Sequence, residues 1–391
     1  MKINRTLDLN KLLKKKSHFL FGPRSTGKST LIKDQINEKY LVINLLRNEY
    51  FMALSQSPQS LEDMINIVKN QEFVIIDEVQ KIPELLNEVH RLIEEKSINF
   101  LLTGSSARKL KQQHTNLLAG RARKANLFPL TSYEIKDFNF KRYLHIGGLP
   151  MVYLSDEPYE ELESYVDLFL KDEIQSESLV RNIPGFNNFL QMAAITSGQM
   201  INFTKIASDI GLPVSTVREY YHILEDTFLG FMLPAFTKTI KRKPISTAKF
   251  YYFDIGVCNY LAKIKDIPPQ SELFGQAFEH FIAMELTAYL SYKRLHLDLT
   301  YWRSKSGMEV DFIIGEEIAI EVKSNKKIHD KHLKGLLSFK EENIAKRHII
   351  ISQDPIPKKF SSGIEAIPYD KFLEMLWSDQ LISESNSNIS I

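Results

Sequence analysis

The chain has 391 residues, more than one ordinary hydrophobic core accommodates, so its length favours two or three domains. Fifty basic against 48 acidic residues leave a formal net charge of +2, so the overall charge gives no indication for or against a nucleic-acid partner. The single cysteine, Cys258, excludes an intrachain disulfide, and no apolar run reaches the roughly 18 residues of a membrane span, so we expect a cytoplasmic protein without a membrane partner.

The first chemical motif is a glycine-rich loop between an apolar strand and a helix. The strand, predicted at residues 19–21, runs into GPRSTGKS at residues 22–29 and matches the pattern G-x-x-x-x-G-K-[ST]. Backbone N–H groups and the helix N-terminus of such a loop cradle phosphate oxygens. Lys28 is expected to reach the β- and γ-phosphates of ATP, and Ser29 to bind Mg²⁺. The predicted nucleotide-binding residues are Gly22, Pro23, Arg24, Ser25, Thr26, Gly27, Lys28, Ser29 and Thr30.

Two further buried strands are predicted at residues 41–45 and 73–76, and the second one ends in two acids. Asp77 is expected to hold the magnesium shell, and Glu78 to orient or deprotonate the attacking water. A pair of carboxylates at a strand end can also be a solvated terminus. This pair, however, follows a complete phosphate-binding loop by about 50 residues, and the two motifs together predict Mg²⁺-dependent ATP hydrolysis.

A fourth strand, predicted at residues 99–106, ends in small polar residues. If it lies beside the strand that carries Asp77, then Thr103, Ser105 or Ser106 lies near the γ-phosphate. Ser105 is the favoured candidate for sensing that phosphate, and the alternative is an ordinary loop serine.

Basic residues follow this fourth strand, which we call the sensor strand because it ends near Ser105. Arg121 or Arg123 is a candidate arginine finger that reaches the ATP of a neighbouring subunit. Either residue could equally belong to an exposed basic loop, and the sequence does not separate them.

The middle of the chain changes from strands to helical periodicity. From Tyr133 to about Arg181 we predict a small helical lid, in which residues 159–174 place apolar side chains on one helical face. Residues 203–236 have helix-turn-helix spacing with a turn at residues 211–213, followed by the strand-like residues of a wing. Such a unit either binds DNA or only mediates protein contacts.

A basic cluster follows the predicted wing. Residues 241–243, Lys-Arg-Lys, would suit contact with a phosphate backbone, although most such clusters are merely solvated.

The C-terminal part predicts a second chemical centre on a β-meander. Side chains alternate along a strand, so Glu321 and Lys323 share a face, and the preceding strand can bring Asp311 alongside. With Glu279 on an earlier helix, this set predicts a Mg²⁺ site that uses Asp311 and Glu321, with Lys323 orienting a water. The alternative is an edge hairpin with solvated charges.

These motifs carry a family resemblance. The C-terminal set resembles the PD-(D/E)xK nuclease superfamily, in which a helix carries a glutamate, a strand carries an aspartate and the next strand carries E-x-K. Nearly the whole chain resembles a prokaryotic AAA-type ATPase family with a C-terminal domain of unknown function, the AAA_14 and DUF4143 pairing. Its marks here are GPRSTGKST (22–30), FVIIDEVQ (73–80), LLTGSSARKL (101–110), LAGRARKANLFPLTSYE (118–134), YYHILEDTFL (220–229), KFYYFDIG (249–256), GQAFEHF (275–281), EVDFII (309–314) and IEVKS (320–324).

The resemblance implies an α/β fold with an AAA+ parallel-sheet core and a homo-oligomer, for which a hexamer-like ring is expected. We predict an AAA+ core (1–135), a helical lid (136–200), a winged helix (201–245) and a restriction-endonuclease-like domain (246–391). Two functions compete. The chain is either an ATPase that remodels or translocates DNA, with nuclease activity an open question, or a regulatory ATPase whose nuclease-like domain mediates protein contacts.

Overall fold

The computed structural model describes residues 3–35, 40–67, 73–106, 108, 117–170 and 182–382. Its N-terminal strands are β1 (Ser17–Phe21), β2 (Tyr40–Asn44), β3 (Phe73–Asp77), β4 (Asn99–Gly104) and β5 (Ala122–Asn126). They form one parallel sheet in the order β2-β3-β4-β1-β5. β1 and β3 are buried along their whole length, as expected for strands covered on both faces. The four predicted strands are confirmed.

Helices cover both faces of this sheet. One face carries α1 (Leu9–Leu13) and α2 (Lys28–Gln35), and the other carries α3 (Asn48–Gln56), α4 (Ser60–Ile67) and α5 (Leu85–Lys96). Side-chain alternation along β1 explains the division, because Phe19 and Phe21 pack with the second group and Leu20 with the first.

The strand order determines where the chemistry lies. β4 pairs with both β1 and β3, so the carboxyl ends of all three strands meet at one edge of the sheet. In parallel α/β sheets, ligands bind at this edge. The glycine-rich loop, Asp77 and the end of the sensor strand therefore lie together.

The middle segment is helical, as predicted. It contains α6 (Phe140–Ile146), α7 (Pro150–Tyr153), α8 (Pro158–Ser164), a π-helix (Tyr165–Leu170) and α9 (Ile183–Ile195). The end of the lid helix predicted at residues 159–174 lies outside the described residues, as does Arg181.

The helix-turn-helix spacing is present. α10 (Phe203–Ile210) ends at Gly211, whose φ of 67° is the left-handed conformation that glycine adopts most easily, and α11 (Val214–Asp226) follows. Two antiparallel strands come next, β6 (Gly230–Leu233) and β7 (Lys249–Tyr252).

The segment between β6 and β7 does not project as a free wing. Its Phe236 N–H donates to the Tyr301 carbonyl at 2.6 Å, and Pro244 forms an isolated bridge with Ser304. Tyr301 belongs to β8 (Leu299–Arg303), which lies at one edge of the C-terminal sheet. The segment pairs with backbone groups of β8 that an open sheet edge would leave unpaired, and it therefore lies along that edge.

The C-terminal sheet adds β9 (Glu309–Ile314), β10 (Ile318–Lys323), β11 (Arg347–Ser352), β12 (Lys358–Lys359) and β13 (Glu365–Pro368). Its order is β12-β13-β11-β10-β9-β8, and the predicted meander is its antiparallel half.

Three helices complete this part of the chain, after the short α12 (Ile255–Leu261). They are α13 (Glu272–Tyr292), α14 (Lys334–Lys340) and α15 (Tyr369–Trp377). α13 and α15 pack on one face of the sheet and α14 on the other. Leu130, Phe140 and Tyr143, which come from earlier in the chain, share the core around α13. None of the helices in the described ranges has the length and apolar character needed to cross a bilayer.

Candidate nucleotide site and C-terminal carboxylate centre

The glycine-rich loop is shaped by its glycines and encloses a lysine. A Cβ on Gly22 would lie 2.3 Å from the Leu127 carbonyl oxygen, so no other residue fits there. Gly27 has a φ of 92°, in the region that favours glycine. The buried Lys28 Nζ donates to the carbonyls of Gly22 at 2.7 Å and Pro23 at 2.9 Å. The ammonium therefore lies inside the loop.

Asp77 has two hydroxyl partners at the edge of the sheet. Ser29 Oγ lies 3.5 Å from Asp77 Oδ2, and the Thr103 hydroxyl donates to Asp77 Oδ1. Hydroxyl and carboxylate oxygens are the hard ligands that Mg²⁺ prefers. The donor set at Ser29 and Asp77 thus fits the ion predicted there.

Glu78 has an unusual backbone conformation and an unpredicted partner. Its φ of 62° is left-handed, and its N–H donates to Thr103 Oγ1 at 3.1 Å. Gln80 Nε2 donates to Glu78 Oε2 at 2.5 Å and to the buried Ser105 Oγ at 3.3 Å. The predicted sensor Ser105 is linked to Glu78 through Gln80. Sequence reasoning missed Gln80, although it stands only two positions after Glu78.

The candidate arginine fingers lie at the opposite edge of the sheet. Arg123 pairs in register with His18, near the start of β1, whereas the glycine-rich loop follows the end of that strand. Arg121 forms an ion pair with Glu94 on α5. Neither arginine is placed to contact the nucleotide of its own chain, and a role in a neighbouring subunit stays a prediction.

A buried arginine near the N-terminus supports the glycine-rich loop. Arg5 Nη1 donates to the Thr26 carbonyl at 2.8 Å, and Arg5 Nε lies 3.1 Å from Glu134 Oε1. Arg5 Nη2 donates to the Tyr292 hydroxyl at 3.2 Å, and Tyr292 is the last residue of α13. The loop is therefore connected to the C-terminal domain through one side chain. No motif in the sequence predicts this contact.

In the C-terminal centre Asp311, Glu321 and Lys323 lie together, and Glu279 is close enough for its charge to act on Asp311. Pairing between β9 and β10 is regular as far as Phe312 and Ile320, and beyond it Asp311 Oδ2 accepts from the Val322 N–H at 2.7 Å. Lys323 Nζ lies 2.5 Å from Glu321 Oε1. Glu321 Oε2 is buried and has no hydrogen-bond partner within the described part of the chain.

Burial and mutual repulsion govern the charges of this centre. Burial, followed by the charge of Asp311, raises the pKa of Glu321 to about 8. Burial and the charge of Glu279 raise the pKa of Asp311 to about 6. Burial opposes the charged form of Lys323, but the carboxylates of Asp311 and Glu321 outweigh it and raise the lysine pKa.

Glu279 is arranged differently from the prediction. Glu279 Oε1 accepts from Lys249 Nζ at 3.0 Å and from the Tyr251 hydroxyl at 2.6 Å. Among the residues that the structure describes, no three Asp, Glu, His or Cys side chains are placed to hold a metal ion. This arrangement does not favour the expected metal site of Glu279 with Asp311 and Glu321, because Lys249 occupies the Glu279 carboxylate. The only available signal was the alternation of KFYY, which places Lys249 and Tyr251 on one side of β7.

The helix-turn-helix presents mixed charge. On the exposed face of α11, Arg218 stacks over the Phe203 ring at 4.2 Å, and Glu219 forms an ion pair with Arg108 beyond the sensor strand. Glu225 and Asp226 add negative charge to the same helix. This surface does not have the basic character of a phosphate-binding helix.

The basic cluster at residues 241–243 is partly neutralised by the C-terminal domain. Arg242 Nη2 lies 2.7 Å from Glu341 Oε2, and the Arg242 backbone N–H donates to Glu342 Oε1 at 3.0 Å. The N–H groups of Ile240 and Lys241 also donate to the Glu342 carboxylate. The cluster anchors the segment between β6 and β7.

Three family models match consecutive segments of the chain. An AAA domain matches residues 14–136, a domain of unknown function (DUF8612) matches residues 137–267, and a second domain of unknown function (DUF4143) matches residues 274–372. The first segment contains the five-stranded sheet with both of its phosphate-site motifs. Residues 14–136 are thus similar to an AAA domain, and this similarity suggests nucleotide binding and ATPase activity.

The chain is also similar to archaeal and bacterial proteins. An uncharacterized protein of Methanocaldococcus jannaschii is 26% identical, over 80% of this chain and 75% of that protein. A second protein of that archaeon is 24% identical, over 93% of this chain and 85% of its own length. An uncharacterized protein of Haemophilus influenzae is 22% identical, over 78% and 82% respectively. The similarity therefore extends well beyond the AAA domain.

Proposed function

We propose that this chain is a Mg²⁺-dependent ATPase whose nucleotide state regulates its C-terminal domain. The observation that supports hydrolysis best is that the Lys28 loop meets Asp77 and Glu78 at one edge of one sheet. An ammonium, a hydroxyl and two carboxylates in this arrangement are the groups that phosphoryl transfer to water requires.

Each side chain has a definite task in this proposal. Lys28 now binds two neutral carbonyls, and ATP would draw its ammonium away because charged phosphate oxygens are stronger acceptors. Ser29 and Asp77 would hold Mg²⁺, which neutralises phosphate charge when bound. Glu78 would orient the attacking water and accept its proton, with Gln80 holding the carboxylate in place.

Regulation rests on the Arg5 contacts. Movement of the glycine-rich loop on nucleotide binding would act on Arg5 through the Thr26 carbonyl, and through Arg5 on Glu134 and on Tyr292 of α13. The mixed charge of α11 and the pairing of Arg242 with Glu341 favour this regulatory function over one that depends on binding DNA.

The direct test is the Lys28→Ala variant of the full chain. It removes the charge that pairs with the phosphates, so ATP binding or hydrolysis is expected to be lost. Lys33→Ala, which changes an exposed lysine on the same helix, is the matched control. Binding of a fluorescent ATP analogue and release of phosphate are measured. Undiminished hydrolysis by Lys28→Ala would remove the site from consideration.

Cleavage of DNA at the C-terminal centre is a second candidate activity. The observation in its favour is the buried Glu321 Oε2, which has no hydrogen-bond partner in the described ranges although Asp311 and Lys323 are close. Asp311 and Glu321 would hold Mg²⁺ there, and Lys323 would orient a water.

This second activity has its own test. Protein supplied with Mg²⁺ or Mn²⁺ should nick DNA, and Asp311→Asn should stop the nicking but leave ATP hydrolysis intact. Asp298→Asn, an exposed acid before β8, is the control. Without cutting, duplex binding that weakens steeply with salt would still support a DNA-handling role. Affinity weaker than ~10⁻⁴ M at moderate salt would exclude DNA as a partner.

A further inference from the structure

The strand β7 contributes side chains to a centre that lies mainly on the C-terminal sheet. Lys249 and Tyr251 are two residues apart, so both point to the same side of β7, and both contact Glu279 on α13. The C-terminal centre is therefore built from two sheets. Its acids lie on α13 and the six-stranded sheet, and β7 of the two-stranded sheet adds a lysine and a tyrosine.

The Lys249 ammonium lies between two carboxylates. Lys249 Nζ is 3.0 Å from Glu279 Oε1 and 2.8 Å from Glu309 Oε1, and only 4% of the lysine side chain is exposed. The second Glu309 oxygen lies 2.9 Å from Arg303 Nη1. A buried ammonium is stable only when it is paired, and Glu279 and Glu309 provide this pairing.

We propose that Lys249 is the permanent cation of this centre and keeps Glu279 and Glu309 from binding a divalent ion. The ammonium bridges the two carboxylates as a metal would, and it supplies positive charge next to Asp311. A nuclease-type metal at this centre is thereby restricted to Asp311 and Glu321. This inference goes beyond the proposed ATPase function and does not depend on it.

The protonation of the group agrees with the geometry. Burial by itself would raise the pKa of Glu279, but the charge of Lys249 outweighs burial and holds that pKa below its usual range. Burial would lower the pKa of Lys249, yet Glu279, Tyr251 and Asp311 together raise it well above its usual range. The carboxylate and the ammonium thus stay charged.

An aqueous ion could reach these carboxylates if the ammonium were removed. A cavity of ≈ 310 Å³ borders the group and is lined by Lys249, Glu279, Arg303 and Glu309, together with Gln276 and residues 197–200. Lys249→Met keeps most of the side-chain stem and deletes only the charge, so Glu279 and Glu309 would be left next to Asp311 without their cation.

The experiment counts Mn²⁺ ions bound to the nucleotide-free full chain by electron paramagnetic resonance. Lys249→Met is expected to bind roughly one more ion per chain than the wild type. Lys249→Met with Glu279→Gln should lose that ion again, and Lys249→Arg, which retains a cation, should not gain it. Millimolar Mn²⁺ should raise the Tm of Lys249→Met, and leave the Tm of the double variant unchanged, because only the single variant has the new site.

Comparison of the wild type with Glu279→Gln tests whether Glu279 binds a metal ion, even if Lys249→Met fails to fold. Equal Mn²⁺ binding by these two proteins supports the inference, because Glu279 then takes no part in metal binding. Loss of an ion in Glu279→Gln would overturn it, since Glu279 would then bind metal with Lys249 in place. A folded Lys249→Met that gains no ion would also overturn it.

Discussion

The carboxylate of Glu78 is held by an amide rather than left in solvent. Gln80 binds it at 2.5 Å and is itself linked to the buried Ser105, so the candidate base has a fixed orientation. The left-handed backbone of Glu78 adds a conformational cost at this position. Such strain at a site of this chemistry agrees with a role in orienting water.

Replacing the base separates binding from turnover. Glu78→Gln keeps the size of the side chain but removes the proton acceptor, so ATP binding should persist while kcat falls by about 10²-fold or more. Phosphate release and nucleotide affinity are measured in parallel. Glu84→Gln, an exposed acid at the start of α5, should behave as the wild type. Equal turnover in the two variants would refute the role of Glu78.

The amide partner should act on turnover through orientation. Gln80→Ala leaves Glu78 in place but frees its carboxylate, and we expect kcat to fall roughly tenfold with little change in KM. A Gln80→Glu variant should be at least as slow, since a second carboxylate repels the first. Faster turnover in Gln80→Ala would instead mean that Gln80 restrains the base.

Residues fixed by a motif could be predicted, whereas their partners could not. Lys28, Asp77 and Glu78 follow from spacing because phosphate chemistry demands those residue types at those strand ends. Arg5 and Tyr292 are in contact although 287 residues separate them in the sequence. Lys249 on β7 likewise contacts Glu279 on α13. Such contacts depend on tertiary packing, for which a single sequence carries no periodic signal.

At the scale of elements, strands and helices with strong apolar patterns were predicted well. Four of the five parallel strands and the meander appear where their apolar runs lie, because burial favours the extended conformation there. The fifth strand, β5, has the sequence ARKAN without such a run and was not predicted. The winged helix stays a prediction, because β6 and β7 follow the helix-turn-helix as two paired strands. The segment between β6 and β7, for which no structure was predicted, lies along the edge strand β8. Its conformation depends on Tyr301 and Ser304, which come more than 50 residues later.

The Arg5 contacts join three elements, and their stability can be measured. Arg5→Leu would leave Glu134 buried without its cation and should lower the free energy of unfolding by roughly 3 kcal/mol. Adding Glu134→Gln should recover part of this loss, because the unpaired charge is then gone. Urea unfolding of the two single variants and the double variant tests the coupling. Strictly additive losses would contradict it.

Glu285 joins α13 to α15 and carries a pH dependence. Its carboxylate accepts from the Ser132 N–H at 2.7 Å, the Ser132 hydroxyl at 2.8 Å and Trp377 Nε1 at 2.7 Å. Burial raises its pKa to about 7 in the folded chain, from 4.5 in the unfolded chain. The folded state therefore binds the proton more tightly, and this stabilisation is complete below pH 4.5 and is lost as the pH rises through 7.

Replacing Glu285 should remove this pH dependence. Glu285→Gln does not titrate, so its Tm should fall less than that of the wild type between about pH 5 and pH 8. Glu272→Gln, an exposed change in the first turn of α13, should retain the wild-type slope. Identical slopes in all three proteins would show that Glu285 does not titrate in this range.

At the scale of the whole molecule, the arginines at the far edge of the first sheet predict assembly. Arg121 and Arg123 lie away from their own nucleotide, so they could act only on the ATP of another copy. We expect light scattering to show an oligomer with a nonhydrolysable ATP analogue. Arg121→Ala with Arg123→Ala should lower kcat by about 10³-fold, and Lys124→Ala should not. A monomer both with and without the nonhydrolysable ATP analogue would count against a ring.

The core around α13 limits how this chain can be divided. Phe140 stacks on Tyr369 with 4.2 Å between ring centroids, and Leu130 and Tyr143 pack in the same core, so residues N-terminal to the predicted boundary at 246 are part of the C-terminal fold. A fragment of residues 246–391 would expose these contacts to water and aggregate. In a chimera of two relatives, residues 130–144 would have to be transplanted together with the C-terminal domain, because the parent of that domain determines which side chains fill its core.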